Sequence, residues 1–292
     1  MDSCPYCEGQ LLGASKRFGW RLGRCRDCGS VACLDEVPDG ILADLYRDDH
    51  YYWGGGDPYG YPDIDLHAEE SLPLMKERLD AIGRHAGIGR LLEVGPGTGA
   101  FMALARAAGW EVVGVDPYPR VTEDVPVLAS PAEASAHGPF GAICLFDVLE
   151  HVVEPSALMA ELVPQLAPRS CIVVGIPSVD GPSFRAQGMD WKEVKPPEHL
   201  SLPSARGMRE LCRRAGLVPV EVLGHFAVDW EWQRGHAAGS ALSRLGGERK
   251  LPRILRQRAR VAGRGVEALG NRLRPRRPEN QDYVTWIAAR AG

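Results

Sequence analysis

The chain has no long hydrophobic run, since none of its apolar stretches approaches the roughly 20 consecutive residues that a membrane-spanning helix needs. Its first ten residues, MDSCPYCEGQ, lack the basic and apolar regions of a secretory signal peptide. The net charge is only −4 over 292 residues, and we see no internal repeat. These absences argue against a membrane-spanning or secreted protein. They predict a soluble, cytoplasmic one that is long enough for a full α/β core and a small additional module.

Eight cysteines are present, and in a reducing compartment they favour metal binding over disulfides. Four of them follow the pattern Cys-x2-Cys-x17-Cys-x2-Cys: Cys4, Cys7, Cys25 and Cys28. This spacing is typical of a zinc ribbon, and four thiolates close a tetrahedral shell that leaves no position for a substrate. We therefore predict a structural zinc ribbon over residues 1–34. The other four cysteines occur singly and are predicted to be buried thiols: Cys33, Cys144, Cys171 and Cys212.

Residues 35–63 form a linker that is unusually rich in aromatic residues and glycine. They include Tyr51, Tyr52, Trp53, Gly54, Gly55, Gly56, Tyr59 and Tyr61. An ordinary packed loop would account for them. A cover over a ligand pocket would account for them as well, because aromatic rings supply apolar surface for binding. The sequence leaves both interpretations open.

From residue 64 onward the apolar pattern predicts helices and strands in alternation. Leu72, Met75, Leu79 and Ile82 have helical spacing, so the first helix is expected over residues 64–87. The strands RLLEVG, WEVVGVD, GAICLFD, CIVVGIP and VPVEVLGHF then alternate with shorter helical segments. Near-continuous apolar strands that alternate with helices are typical of a parallel sheet covered on both faces. We predict an α/β, doubly wound domain over residues 64–292, closed by DYVTWIAARA as a last, antiparallel strand.

The segment before that last strand is strongly basic. Residues 244–277 contain twelve Lys or Arg against two Glu, a net charge of +10. We predict a helical insertion over residues 236–277 that caps the domain with a solvated basic face. An anionic substrate, RNA or a membrane surface are the alternative interpretations of this charge.

The stretch LLEVGPGTGAF is the strongest ligand-binding signal in the chain. Glycines let a backbone approach a ligand closely, and an acid at the end of the next strand, here Asp116, binds ribose hydroxyls. As Gly-x-Gly-x-x-Ala the loop would hold a dinucleotide. As Glu-x-Gly-x-Gly-x-Gly it would hold S-adenosylmethionine (SAM), whose ammonium Glu93 could help to bind. The loop alone does not decide between them.

Three later motifs favour the second interpretation: FDVLEHVVEP at 146–155, PSVD at 177–180 and WKEVKPPEHLSL at 191–202. With the glycine loop, they give a chain that resembles class I, seven-strand SAM-dependent methyltransferases. It is most similar to a small-molecule branch that includes ubiquinone-pathway O-methyltransferases. The resemblance implies a Rossmann-like seven-stranded sheet and a SAM site. It assigns that site to Glu93, Gly95, Pro96, Gly97, Thr98, Gly99, Asp116, Pro117, Tyr118, Ser130, Ala132, Glu133, Phe146 and Asp147.

Two histidines are placed by these motifs for acid–base chemistry. His151 follows Glu150, and His199 lies in PPEHL; histidine suits a base near neutral pH. In the ubiquinone O-methyltransferases and in small-RNA 2′-O-methyltransferases, a similar acid-x-x-Glu-His set binds a divalent ion. The resemblance therefore implies an ion at Asp147, Glu150 and His151 on one helical turn, with His199 as a fourth ligand. This chain has Asp where those families have Glu first, which shortens the reach.

The predicted function is methyl transfer from SAM to a small molecule, at a hydroxyl of a natural-product, sugar or lipid-like acceptor. An RNA methyltransferase is the alternative, because the basic segment would suit phosphates. A non-catalytic SAM-binding protein is a further alternative, against which the intact glycine loop and Asp116 argue.

Overall fold

A computed structural model of the protein describes residues 3–38, 40–54, 59–61, 64–119, 125–225 and 277–291. The basic helical insertion predicted over residues 236–277 lies outside the described residues, except for Arg277. Within the described ranges, no helix is both long and apolar enough to cross a membrane.

A four-stranded sheet carries the N-terminal cysteines. Three of its strands are β1 (Leu11–Arg17), β2 (Trp20–Cys25) and β3 (Val31–Cys33). The turn of the β1–β2 hairpin, Phe18 and Gly19, has the left-handed φ values of 50° and 87° that such a reversal requires. The fourth strand, β9 (Ser201–Leu202), lies far along the chain and pairs antiparallel with β3. The predicted ribbon therefore does not complete its own sheet, which the spacing of the cysteines could not reveal.

Three helices lie between the cysteine-bearing strands and the main sheet: α1 (Ile41–Arg47), α2 (Asp49–Trp53) and α3 (Ile64–His85). The side chain of Asp48 begins α2 by accepting a hydrogen bond from the His50 backbone N–H at 2.9 Å. In α3, Ile82 is fully buried, whereas Leu72 is 39% exposed. The helix predicted over 64–87 thus ends two residues earlier, and its buried face lies in its second half.

The main sheet has seven strands in the order β10-β11-β8-β7-β4-β5-β6. They are β4 (Arg90–Val94), β5 (Glu111–Val115), β6 (Val127–Leu128), β7 (Phe140–Phe146), β8 (Leu166–Pro177), β10 (Leu217–His225) and β11 (Tyr283–Arg290). Strands β4 to β8 are parallel to one another, and β11 is antiparallel to both β8 and β10. The predicted doubly wound α/β sheet with a last, antiparallel strand is confirmed.

Helices cover both faces of this sheet. Helices α3 and α4 (Ala100–Ala107) contribute to one core cluster, and α5 (Pro131–Ala134), α6 (Pro155–Leu162) and α8 (Ala205–Arg214) to the other. Helix α7 (Pro182–Gln187) belongs instead, through Phe184, to a third cluster with Leu22 and Val31 of the cysteine-bearing sheet. Along β7, Ile143 belongs to one core cluster and Ala142 and Cys144 to the other, and all three are fully buried. A strand buried on both faces reads as a continuous apolar run. The four singly occurring cysteines are buried, as predicted.

The winding of the sheet reverses at β4, which pairs with β5 on one side and with β7 on the other. In open α/β sheets, ligands bind in the crevice beyond the carboxyl ends of the strands at such a point. The loops that leave β4, β5 and β7 begin at residues 95, 116 and 147. The fold therefore brings the glycine loop, Asp116 and the FDVLEHV motif to one edge of the sheet.

Candidate active site

Three glycines with left-handed backbone conformations form the loop after β4. The φ values of Gly95, Gly97 and Gly99 are 66°, 55° and 84°, a region that other residues rarely adopt. A Cβ at Gly95 would lie 2.8 Å from Cγ2 of Val148, whereas no described atom lies within 4 Å of a Cβ at Gly97. The loop leads into the N-terminus of α4, with Pro96 buried and Thr98 half-buried. The backbone at Gly97 is thus open to a ligand.

Asp116 directly follows β5 and lies beside this loop. Its N–H donates to the carbonyl of Leu128, and its Oδ1 accepts from the Tyr118 N–H at 2.7 Å. The Gly95 N–H donates to the carbonyl of Val115, the residue before Asp116, at 2.8 Å. Pro117 is exposed and Tyr118 is half-buried. The residues predicted to contact ribose and adenine therefore adjoin the glycine loop.

Ser130, Ala132 and Glu133 lie beyond β6 and begin helix α5. The Ser130 hydroxyl accepts from the Glu133 N–H at 3.3 Å and donates to Glu133 Oε1 at 3.1 Å. Such a reciprocal pair is a capping arrangement, so both side chains serve the start of the helix. Ala132 is exposed. Their predicted contact with adenine stays a prediction.

Two buried ionisable side chains lie under the glycine loop. Glu93 is 4% exposed, and its Oε2 has no hydrogen-bond partner among the described residues. Burial raises the pKa of Glu93 well above its usual range, although the nearby Arg78 guanidinium lowers it. Arg78, on α3, is also 4% exposed, and its Nη2 has no partner either. Its Nε donates to the Thr285 hydroxyl, and its guanidinium lies 4.2 Å from the centroid of the Phe146 ring. Buried polar atoms without partners are uncommon in folded proteins and indicate a place for a bound polar group.

The end of β7 is conformationally unusual. Asp147 has a left-handed φ of 55°, and its N–H donates to the carbonyl of Gly175 at 3.0 Å. Residues Leu149–His151 then form a short 3₁₀ helix and not the first turn of an α-helix. The expectation that one α-helical turn points Asp147, Glu150 and His151 the same way is therefore wrong. Because Asp147 has a left-handed backbone and precedes the 3₁₀ helix, it does not share a helical turn with Glu150 and His151.

Backbone carbonyls hold the two predicted histidines. The Nδ1 of His151 lies 2.9 Å from the carbonyl of Glu198, and that of His199 lies 2.7 Å from the carbonyl of Glu193. A carbonyl only accepts, so both Nδ1 atoms carry the proton and both Nε2 atoms keep a lone pair. The rings are perpendicular, with centroids 4.7 Å apart. Desolvation, helped by Lys195, lowers the pKa of His151 to about 4 and that of His199 well below its usual value.

Glu150 completes a group with this histidine pair. One donor atom each from Glu150, His151 and His199 lies within 4.8 Å of the others, whereas the carboxylate of Asp147 is outside the group. The side chain of Glu150 is fully buried, and in the described part of the chain neither of its carboxylate oxygens has a hydrogen-bond partner. Burial, reinforced by Asp147, raises the pKa of Glu150 well above its usual range. Two imidazole lone pairs and an unpartnered carboxylate fit a divalent ion.

The linker packs against this group through its aromatic residues. We call residues 41–54 and 59–61 the aromatic segment. The Tyr46 hydroxyl lies 2.7 Å from Nδ1 of His151, and the Tyr59 hydroxyl donates to the carbonyl of Pro196 at 2.8 Å. Arg47, next to Tyr46, lies with its guanidinium 5.0 Å from the Tyr118 ring centroid. The segment thus runs from the Asp116 turn to the PPEHL stretch.

Glu198 of PPEHL is the main attachment point for the aromatic segment. Its fully buried carboxylate accepts from the Tyr51 hydroxyl at 2.8 Å and from the Gly60 N–H at 3.2 Å. It also accepts from the Lys195 ammonium at 2.7 Å. A buried carboxylate with three donors is well compensated, and losing one of them is costly.

The N-terminal cysteines meet in one cluster. Cys4 Sγ lies 3.6 Å from Cys28 Sγ, and Cys7 Sγ lies 3.4 Å from Cys25 Sγ. All four sulfur atoms lie within 4.8 Å of one another. Zinc bonded to four sulfurs at about 2.3 Å separates them by about 3.8 Å. The four thiols can therefore hold zinc with little rearrangement.

Comparisons with known proteins agree with this geometry. A family model described as a methyltransferase domain matches residues 67–222, which is more than half of the chain. The chain belongs to this methyltransferase family. The predicted enzyme class is therefore confirmed. No curated protein matches the chain.

Solved structures share the fold of the methyltransferase at low sequence identity. A 1,6-didemethyltoxoflavin-N1-methyltransferase from Burkholderia thailandensis, with bound S-adenosylhomocysteine, is 15% identical with a TM-score of 0.50. The match covers 91% of this chain and 98% of that one. A SAM-dependent methyltransferase from Archaeoglobus fulgidus is 20% identical with a TM-score of 0.47, and covers 74% and 93% of the two chains. The first of these supports the methyltransferase fold.

Sequence reasoning missed three polar residues of the candidate site: Arg78, Tyr46 and Glu198. Arg78 lies on the same face of its helix as Met75 and Ile82, and only the apolar residues of that face were singled out. Glu198 stands in the quoted PPEHL motif, where only the histidine was singled out. A charged residue within an otherwise apolar helical face was the one available signal for Arg78.

Proposed function

We propose that this methyltransferase uses SAM as methyl donor and a small-molecule hydroxyl as acceptor. The observation that carries the proposal is the open glycine backbone at Gly97 next to Asp116, at the switch point of the sheet. SAM supplies a methyl group on a positively charged sulfur, so that its departure needs no acid. The protein then has to bind the donor, align the acceptor and accept a proton.

The buried charges under the loop suit the amino-acid end of SAM. The unpartnered Nη2 of Arg78 would bind its carboxylate, and the unpartnered Oε2 of Glu93 would accept from its ammonium. Each group would then gain the hydrogen bond that its burial demands. Asp116 would accept from the ribose hydroxyls, and Tyr118 would flank the adenine. This placement leaves the Phe146–Asp147 end of β7 for the methyl group.

The histidine pair would accept the acceptor's proton. Both rings are neutral near pH 7 because their pKa values are lowered, and both offer an Nε2 lone pair. A hydroxyl acceptor needs such a base. The carbonyls of Glu193 and Glu198 fix the tautomers and orient the rings.

A divalent ion held by Glu150, His151 and His199 is the alternative form of the proposal, because it would occupy the two Nε2 lone pairs that a histidine base needs. Such an ion would lower the pKa of a coordinated acceptor hydroxyl. Two nitrogen donors and one carboxylate suit Zn²⁺ or Mn²⁺ better than Mg²⁺, which prefers oxygen ligands. With this ion bound, the metal content should be about two ions per chain, and it should fall to about one in Glu150→Gln, which leaves the four cysteines intact.

The aromatic segment would act as a cover over the acceptor. Its hydroxyl and N–H donors hold Pro196 and Glu198, which precede His199, and its rings offer apolar surface. A small, flat acceptor fits beneath such a surface better than a polynucleotide does. The RNA alternative rests on the basic segment, which lies outside the described residues, so nothing in the described part favours it.

Calorimetry with a matched pair of glycine variants tests the donor site. Gly97→Val should weaken SAM binding by at least about tenfold, because the side chain would occupy the ligand's place. Gly216→Val is the control: its φ of 73° imposes comparable strain, and no described atom lies within 4 Å of its Cβ. It should lower stability and leave SAM affinity unchanged. Equal affinity in wild type and Gly97→Val would refute the assignment of the loop.

A further inference from the structure

The strand that completes the cysteine-bearing sheet begins two residues after His199. In β9, Leu202 lies opposite Val31 and Ser201 lies opposite Ala32 of β3. Sheet pairing fixes a peptide in position and direction along its whole length. The proposed catalytic histidine is therefore covalently next to a strand that the cysteine-bearing sheet holds.

The peptide of Leu200 joins three parts of the protein. Its N–H donates to the carbonyl of Glu150 at 2.7 Å, and its carbonyl accepts from the N–H of Cys33 at 2.8 Å. Leu200 itself is 2% exposed. Leu200, the buried residue after His199, thus connects strand β3 with the backbone of Glu150.

The two turns that carry the clustered cysteines, residues 4–7 and 25–28, contact the same stretch of chain. We call these turns the knuckles of the cluster. The Ser204 hydroxyl donates to the carbonyl of Cys28 at 2.6 Å, and the Ser204 N–H donates to the Ser30 hydroxyl at 3.0 Å. Tyr6, which lies between Cys4 and Cys7, is fully buried, and its hydroxyl lies 3.0 Å from Oγ of Ser201. Both knuckles of the cluster therefore reach residues 201–204.

The close packing of α8 on the cluster leaves little room for independent movement. A Cβ at Gly207 would lie 2.3 Å from Oγ of Ser30 and 3.4 Å from Sγ of Cys28. Only a residue without a side chain permits this approach. An independent appendage would not need such contacts.

We propose that the metal-bound cysteine cluster is a positioning module for the active site, which holds His199 and Glu150 in place through β3, Leu200 and β9. This inference rests on the catalytic role proposed above for these two residues. Zinc in the cluster would fix the two knuckles and, through them, β3 and residues 200–204. Without zinc, the carbonyl of Glu150 and the imidazole of His199 would lose their support, while the glycine loop and Asp116 on the far side of β4 would keep theirs.

Hydrogen exchange of the full chain, with and without the cluster metal, tests the positioning role. Removing zinc from the cluster by Cys25→Ser should increase exchange in peptides covering 148–152 and 193–204. Peptides covering 91–99 and 111–118 should be unchanged, as should SAM affinity by calorimetry. Cys33→Ser is the matched control, because Cys33 lies in β3 but outside the cluster.

A conservative variant keeps the test decisive if Cys25→Ser does not fold. Tyr6→Phe removes only the hydroxyl that meets Ser201, and it should lower the rate of methyl transfer several-fold at saturating SAM with SAM affinity intact. Unchanged exchange at 193–204 after metal loss would show that the cluster is an independent appendage. Increased exchange throughout the chain would show general stabilisation instead, and either result overturns the proposal. Failure of the wild type to bind SAM would contradict the proposed function and is measured separately.

Discussion

Arg78 has an unpartnered Nη2 inside the protein, which is costly unless a ligand meets it. Its guanidinium lies in a space that a side chain at residue 175 would occupy, since a Cβ at Gly175 would be 2.6 Å from Nη2. Removing a charged hydrogen bond to a ligand costs about 1.5–3 kcal/mol. We therefore expect Arg78→Gln to weaken SAM binding by about tenfold or more in calorimetry. Arg84→Gln, on the same helix but exposed and paired with Glu221, should not change it; equal losses would contradict the specific role.

His199 is the better placed of the two histidines for a base, because it lies almost fully buried beside Glu150. His199→Gln should lower the rate of methyl transfer at saturating SAM by about 100-fold, the usual contribution of a positioned base. SAM affinity should stay within about twofold, since its site is formed by other residues. The rate of methyl transfer is measured with labelled SAM and one purified acceptor, and SAM affinity is measured by calorimetry. An unchanged rate would remove His199 from the mechanism.

At the scale of elements, the aromatic segment is attached chiefly through Glu198. Tyr51→Phe deletes one of the donors to this buried carboxylate, and leaving it under-satisfied costs about 1–3 kcal/mol. We expect faster limited proteolysis within residues 35–63 and a several-fold higher KM for the acceptor. His50→Gln, on the exposed face of the same helix, is the control. Identical proteolysis and KM in both variants would argue against a cover held by Glu198.

Elements that depend on local pattern could be predicted from the sequence. The strands around RLLEVG and GAICLFD, the helix after the glycine loop and the Gly216 end of α8 follow from apolar runs and turn residues. Strand β9 could not be predicted, because two residues carry no periodicity and pair with a strand about 170 residues earlier in the chain.

The residues of the candidate site also divide into those that the local sequence predicts and those that depend on contacts between distant segments. Gly97, Asp116 and the histidine pair belong to short motifs, so that they could be predicted from residue type and spacing. Tyr46 and Glu198 gain their importance from contacts between distant segments, since Tyr46 contacts His151, 105 residues later, and Glu198 accepts from Tyr51, 147 residues earlier. The α-helical turn expected at Asp147 failed because a left-handed residue there depends on the tertiary packing at the end of β7.

For the whole molecule, buried neutral histidines predict how stability depends on pH. The pKa of His225 is lowered by burial, and further by Arg78, to about 4, from an ordinary value of 6.5. Between these two pH values, the unfolded chain binds a proton at His225 that the folded state does not bind. Stability is fully present above pH 6.5 and falls as the pH decreases toward 4.

His225→Gln isolates one part of this dependence. Lowering the pH from 7.5 to 5 should cost the wild type about 2 kcal/mol more than the variant in the free energy of unfolding. Urea unfolding at the two pH values measures the difference, and the metal sites contribute equally to both proteins. The same loss in wild type and variant would show that His225 is protonated in the folded state.

The central claim is methyl transfer from SAM to a small molecule, and one experiment tests it most directly. Methyl-labelled SAM is incubated with the protein and a fractionated host extract, in parallel with Gly97→Val. We predict label in small-molecule or organic-soluble material that resists ribonuclease, and none with Gly97→Val. Label that ribonuclease removes, or equal transfer by the Gly97→Val variant, would contradict this account.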